Sequence, residues 1–101
     1  MSARLEREEF AKHLHTKFHI RVSETETVDA ELSDVSEHLV SPRQERFAVV
    51  FRTSNEVFLD QGQRQFAHDK MGEFILFLVP IGRDELGTYY EACFNRLVKK
   101  S

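Results

Sequence analysis

The sequence has no tryptophan, one cysteine, two prolines and four glycines in its 101 residues. A lone Cys93 cannot close an intrachain disulfide, so the fold must hold by its core, and a reducing, cytoplasmic setting is expected. No apolar run approaches the ~20 residues of a membrane helix; the longest, Phe74 to Ile81, has the length of a strand. The first residues, MSARLEREE, lack the apolar stretch of a secretory signal. A soluble chain without membrane insertion is therefore expected. Basic charge is also scarce: 14 Lys and Arg stand against 17 Asp and Glu, for a net charge of −3. The pair Lys99-Lys100 is too short to make a phosphate-neutralising patch, so nucleic acid is not an expected partner. There is no repeat, linker or low-complexity segment.

What the chain does have is phenylalanine. Nine Phe and two Tyr supply a core for a single domain over residues 1–101. At this size folding buries roughly 60–70% of the unfolded surface, enough for one core without staples. Leu5 to Leu14 carries partial helical spacing, with Phe10 and Leu14 four apart and Glu6, Arg7, Glu8, Glu9 and Lys12 elsewhere. Ser2 reads as its N-cap, the acidic first turn suits the helix dipole, and Glu8 and Lys12 are spaced to pair. So short a helix does not stand alone. Phe10 and Leu14 are expected to dock on an open end of a sheet structure, making 1–15 a helical segment and 16–101 the β structure.

From Thr16 the period becomes two. Phe18, Ile20 and Val22 alternate with polar residues, and after a turn at Ser23–Glu26 so do Val28, Ala30 and Leu32. The phase slips near Ser33-Asp34, which predicts a β-bulge or a strand end. Ser41-Pro42-Arg43-Gln44 reads as a turn. Glu45 to Thr53 places Phe47, Val49 and Phe51 on one face. Val57-Phe58-Leu59 reads as a short apolar edge piece, and Gln63 to His68 leads through a turn at Asp69–Gly72 into the next strand. That strand, Glu73 to Gly82, is apolar on both faces, which predicts cover on both sides and a central position. Pro80 predicts a bulge or exposed edge near its end. Gly82 to Gly87 reads as a loop, and Thr88 to Val98 as the last strand, with Tyr90, Ala92 and Phe94 facing in. About six or seven short strands with one N-terminal helix predict a mostly β, antiparallel small barrel or sandwich.

No constellation reaches a catalytic or cofactor signature. His13, His15 and His19 lie close in sequence but diverge across a helix-to-strand junction, and zinc needs three or four converging ligands. His68-Asp69 has the form of a base with an orienting carboxylate, and Cys93 or one of the serines would be its nucleophile, but a thiol in a strand lacks a helix N-terminus to activate it. The glycine loops at Asp60–Gly62 and Gly82–Gly87 do not match a phosphate cradle. Tyr89, Tyr90 and Phe94 offer aromatic area without interleaved Arg or Lys, which reads as core and inter-subunit packing rather than a stacking platform. Neither catalytic residues nor a metal or cofactor are expected. Two surfaces remain as contact candidates: Glu8 and Glu9 on the charged helix, and Phe58 and Leu59 beside a loop, where a short edge can accept a strand.

The order Phe10…Leu14…Phe18, Phe47-x-Val-x-Phe51, Gln61-Gly62…Phe66…His68…Gly72, Phe77-Leu-Val-Pro-Ile-Gly82 and Tyr90-Glu-Ala-Cys-Phe-Asn95 resembles a small bacterial family known only as a domain of unknown function. The resemblance runs over nearly the whole chain and is sharpest in its Leu-Val-Pro-Ile-Gly…Tyr-Glu-Ala-x-Phe-Asn ending. It implies a compact, mostly β domain with no catalytic residues to carry over, and it orders the hypotheses towards phage-tail-like assemblies. The leading expectation is a non-enzymatic interaction or structural module, a subunit or adaptor that associates with itself or another protein. A small-ligand-binding barrel, with Tyr90, Phe77 and His68 lining a pocket, is the alternative. Asn95 is expected to latch a loop.

Overall fold

In the computed structural model the described residues are 6–36, 39–41 and 44–97. The readings made at Ser2, Leu5, Pro42, Arg43 and Val98 lie outside them. One short helix, α1 (Arg7–Lys12), precedes seven strands: β1 (Lys17–Arg21), β2 (Thr27–Val35), β3 (Leu39–Val40), β4 (Gln44–Thr53), β5 (Gly62–His68), β6 (Gly72–Asp84) and β7 (Gly87–Leu97). They are ordered β2-β1-β5-β6-β7-β4-β3, and β2 pairs back onto β4. Six strands thus close an antiparallel barrel, while β3 lies along the same edge of β4 as β2.

Alternation decides what fills it. Phe18, Ile20, Ala30, Leu32, Phe47, Val49, Phe51, Phe66, Leu76, Leu78, Tyr90 and Ala92 point inward and are buried. Core rings meet edge to face, tilted or stacked: Phe18–Phe51 edge to face at 5.1 Å, Phe51–Phe66 tilted at 4.8 Å, and Phe47–Phe94 nearly parallel at 4.5 Å. A six-stranded barrel is narrow, and these side chains occupy its interior. The phase slip at Ser33-Asp34 is a register shift between Leu32 and Asp34 against β4, and Pro80 sits at a second shift, between Pro80 and Gly82 against β7.

Each end has its own plug. At one end Phe10 of α1 is fully buried, with ring centroids 6.4, 6.0 and 5.5 Å from Phe47, Phe74 and Phe94. Leu14 does not join it and is 37% exposed, because the helix stops at Lys12 and His15 turns the chain with φ of 67°. Lys12 pairs with Glu9 at 3.0 Å, three residues away, in place of the expected Glu8. At the other end the segment from Ser54 to Gln61 crosses the opening and drops Leu59 into it. The buried Tyr90 hydroxyl accepts from the Leu59 amide at 2.9 Å and donates to the Val57 carbonyl at 3.5 Å, so its polar tip is satisfied.

Three sequence expectations are corrected here. Val57-Phe58-Leu59 is not an edge strand: it is the irregular plug segment, with Leu59 5% exposed and Phe58 68% exposed. Gly82–Gly87 is not a loop, since β6 runs on to Asp84 and the turn is Glu85-Leu86 alone. The Asp84 carboxylate accepts from the Leu86 and Gly87 amides and fixes that turn. Nor is β6 covered on both faces, since Ile75 and Phe77 are exposed.

Candidate functional site

Strand β6 alternates in burial despite its unbroken apolar sequence. Leu76 and Leu78 are buried, whereas Ile75, Phe77 and Ile81 are 62%, 50% and 51% exposed. The outward side chains of one strand lie in a row, so Ile75, Phe77 and Val79 make an apolar stripe about 13 Å long, and the exposed Ile81 stands at the register shift beyond it. Its neighbours on β5 are amides: Gln65 is opposite Ile75 and Gln63 opposite Phe77. On β7, Glu91 is opposite Val79. Single exposed apolar side chains are ordinary, whereas a contiguous row rimmed by polar groups is not.

The outer face of β1 and β2 is the opposite kind of surface. Lys17 and His19 both contact Asp29, at 3.5 and 3.0 Å, and His15 and Arg52 both contact Glu31, at 3.0 and 2.6 Å. Its charges are paired across strands and solvated. The outward positions of β5, of β6 from Glu73 to Val79 and of β7 from Glu91 to Asn95 carry Glu73 and Glu91 but no Lys or Arg.

The residues with chemical potential are held by structural partners. His68 is buried, its ring 4.3 Å from Phe18 and 4.6 Å from His13. Its Nδ1 accepts from the Lys70 and Met71 amides at 3.0 and 3.2 Å. Its Nε2 lies 2.9 Å from Thr16 Oγ1, whose hydroxyl donates to the His13 carbonyl, so the network selects the neutral ring with the proton on Nε2. Desolvation and then the facing His13 hold its pKa below the ordinary value, with Asp69 opposing and His19 adding a smaller lowering. His68 therefore fastens the β5–β6 turn, where Gly72 takes a φ of 80° that other residues resist. Cys93 is exposed, and partial desolvation followed by the Glu91 carboxylate, 3.4 Å from its Sγ, pushes the thiol up, away from thiolate. His15 and His19 go to separate carboxylates, and among the described residues no group of three His, Cys, Asp or Glu is placed to hold a metal ion. No helix among them is long and apolar enough to cross a membrane.

The remaining expected groupings disperse. Tyr89 faces out, bonded to the Asp84 carboxylate at 3.0 Å, while Tyr90 faces in, so the two tyrosines cannot form one platform. Tyr90 and His68 sit towards opposite ends of the barrel and Phe77 lies outside it, so these three do not line a pocket. Asn95 is exposed; the loop latch is Asn55, which donates to the Asp84 carbonyl at 2.8 Å and accepts from Arg83 and Thr88. Of the four contact residues proposed from sequence, Glu8 and Phe58 are exposed, Glu9 is half-buried beside Lys12, and Leu59 is in the core. The sequence reading does not single out Ile75, and it assigns Phe77 to a pocket rather than to the outer face where it lies. The amide-rich alternation of Gln63 and Gln65 on the adjoining strand was the signal that one face of β6 meets solvent.

The chain belongs to the DUF6916 family, a domain of unknown function, which it matches over residues 5–94. No curated protein and no solved structure matches it.

Proposed function

We propose that this DUF6916 domain is a non-enzymatic interaction module, a cytoplasmic subunit or adaptor of a larger, phage-tail-like bacterial assembly, and that its contact surface is the outer face of β6. The observation that carries the reading is the clustering of the exposed Ile75, Phe77 and Ile81 along one strand of the barrel. The commitment of His68 to the turn and the raised thiol of Cys93 support a role without catalysis. Barrel closure moves the expected contact from a strand edge at Phe58-Leu59 to a sheet face, because closure removes most free edges.

The test is site-specific photo-crosslinking in the cells that make the chain. A benzophenone side chain at Phe77 is expected to give one discrete adduct, whose mass tells a second copy from another protein. The same group at Lys17, on the charged face, is expected to give none. Equal labelling at both positions, or at neither, overturns the reading.

A further inference from the structure

The β6–β7 ladder is incomplete in a way that matters for the surface just described. It runs from Asp84↔Gly87 only as far as Val79↔Glu91. Beyond that point β6 pairs with β5 alone, through Gly72–Leu78, and β7 pairs with β4 alone, up to Leu97. Antiparallel strands that both continue past their last bridge have parted. Inside the barrel the buried Phe10 ring touches both strands, 6.0 Å from the Phe74 centroid on β6 and 5.5 Å from the Phe94 centroid on β7.

We propose that this split is a slot for an extended tail of another protein, which adds as a strand to the open edge of β6. The proposal rests on the interaction reading above and specifies its mode. Main-chain groups that face the split on Gly72–Leu78 have no strand partner among the described residues, and such an edge binds an extended segment through its backbone. The occupant's chemistry follows from what surrounds it. Inward side chains would rest on Phe74 and Phe94, which are partly buried over the core, and this calls for apolar residues. Outward ones would lie between Ile75 and Phe77 on one side and Cys93 and Asn95 on the other, with Glu91 at the apex and Glu73 at the mouth. Lysine or arginine suits those positions, its stem covering the apolar stripe and its head reaching a carboxylate. A second copy's barrel strands do not fit, because each is already flanked by its own neighbours, and two chains of net charge −3 repel.

The experiment uses the whole domain and an octapeptide of alternating valine and lysine, followed by amide NMR. Saturable shifts are expected at Glu73–Leu78 and Ala92–Asn95. N-methylation of alternate peptide amides, which removes backbone pairing without changing the side chains, should weaken binding about tenfold or more, and a valine–glutamate peptide should bind less well. Binding indifferent to N-methylation, shifts confined to residues 17–31, or no shifts at about 1 mM peptide would each overturn the proposal. A discrete crosslink at Phe77 alongside any of those outcomes would leave the interaction reading standing and remove only the strand-addition mode.

Discussion

At the scale of single residues, the clearest case is a histidine whose neighbours in sequence mislead. His68-Asp69 has the form of a catalytic pair, yet the ring's partners are the turn amides of Lys70 and Met71 and, 52 residues away, Thr16. Nothing local in the sequence reveals Thr16. The consequence is a pH effect whose sign is fixed. The folded pKa lies below the ordinary 6.5, so the unfolded chain takes up the proton first as pH falls. The stabilisation is complete above about pH 6.5 and declines below it. Melting temperature followed from pH 7.5 to 5 should fall in the wild type and fall less in His68→Asn, whose carbonyl can still accept from the turn. His68→Leu should cost about 1–3 kcal/mol at pH 7.5 through the unpaired amides, measured by urea unfolding. A slope unchanged in His68→Asn would assign the effect to other groups. Tyr90→Phe makes a parallel case: loss of the hydroxyl that holds Leu59 should cost about 1–3 kcal/mol and speed hydrogen exchange of the Leu59 amide.

At the scale of elements, periodicity was reliable where it alternated and misleading where it did not. The slip at Ser33-Asp34 and the proline at position 80 both marked real register shifts, because a strand cannot change phase without an extra residue. Strand β6 departs from its reading because a continuous apolar run is what a doubly covered strand and a strand with one apolar face in solvent have in common. The tight β6–β7 turn was hidden between two glycines of different meaning. A Cβ on Gly82 would meet open space, whereas one on Gly87 would collide with the Thr53 carbonyl. Gly87→Ala is therefore expected to destabilise by about 1–3 kcal/mol and Gly82→Ala by clearly less. The helix matters for one side chain. Phe10→Ala opens the barrel end and should cost about 3–5 kcal/mol, a large share of the stability of a small domain, while Leu14→Ala should be close to neutral. Equal losses in the two variants would mean that the plug is the helix as a whole.

At the scale of the molecule, the inward faces of the strands were legible from alternation and the closure was not. Closure depends on β2 turning to pair with β4, a contact between elements whose sequences carry no mark of it. The same is true of the surface. Only folding shows that Lys17, Asp29, Glu31 and Arg52 neutralise one side while Ile75 and Phe77 are left on another. These two sides make opposite predictions about salt. Contact through Glu8 and Glu9 would be ionic and would weaken as the Debye length falls from about 30 Å at 0.01 M to about 3 Å at 1 M. Contact between copies through the β6 face opposes a net charge of −3 on each chain, so screening and sulfate should strengthen it. Light scattering over a concentration series is expected to show a monomer at low salt and a shift towards association in sulfate that Phe77→Asp abolishes and Phe58→Asp does not. Association that is strongest at low salt would instead locate the contact on the charged helix, and association lost equally in both variants would mean that exposed apolar area in general, rather than the β6 row, drives it.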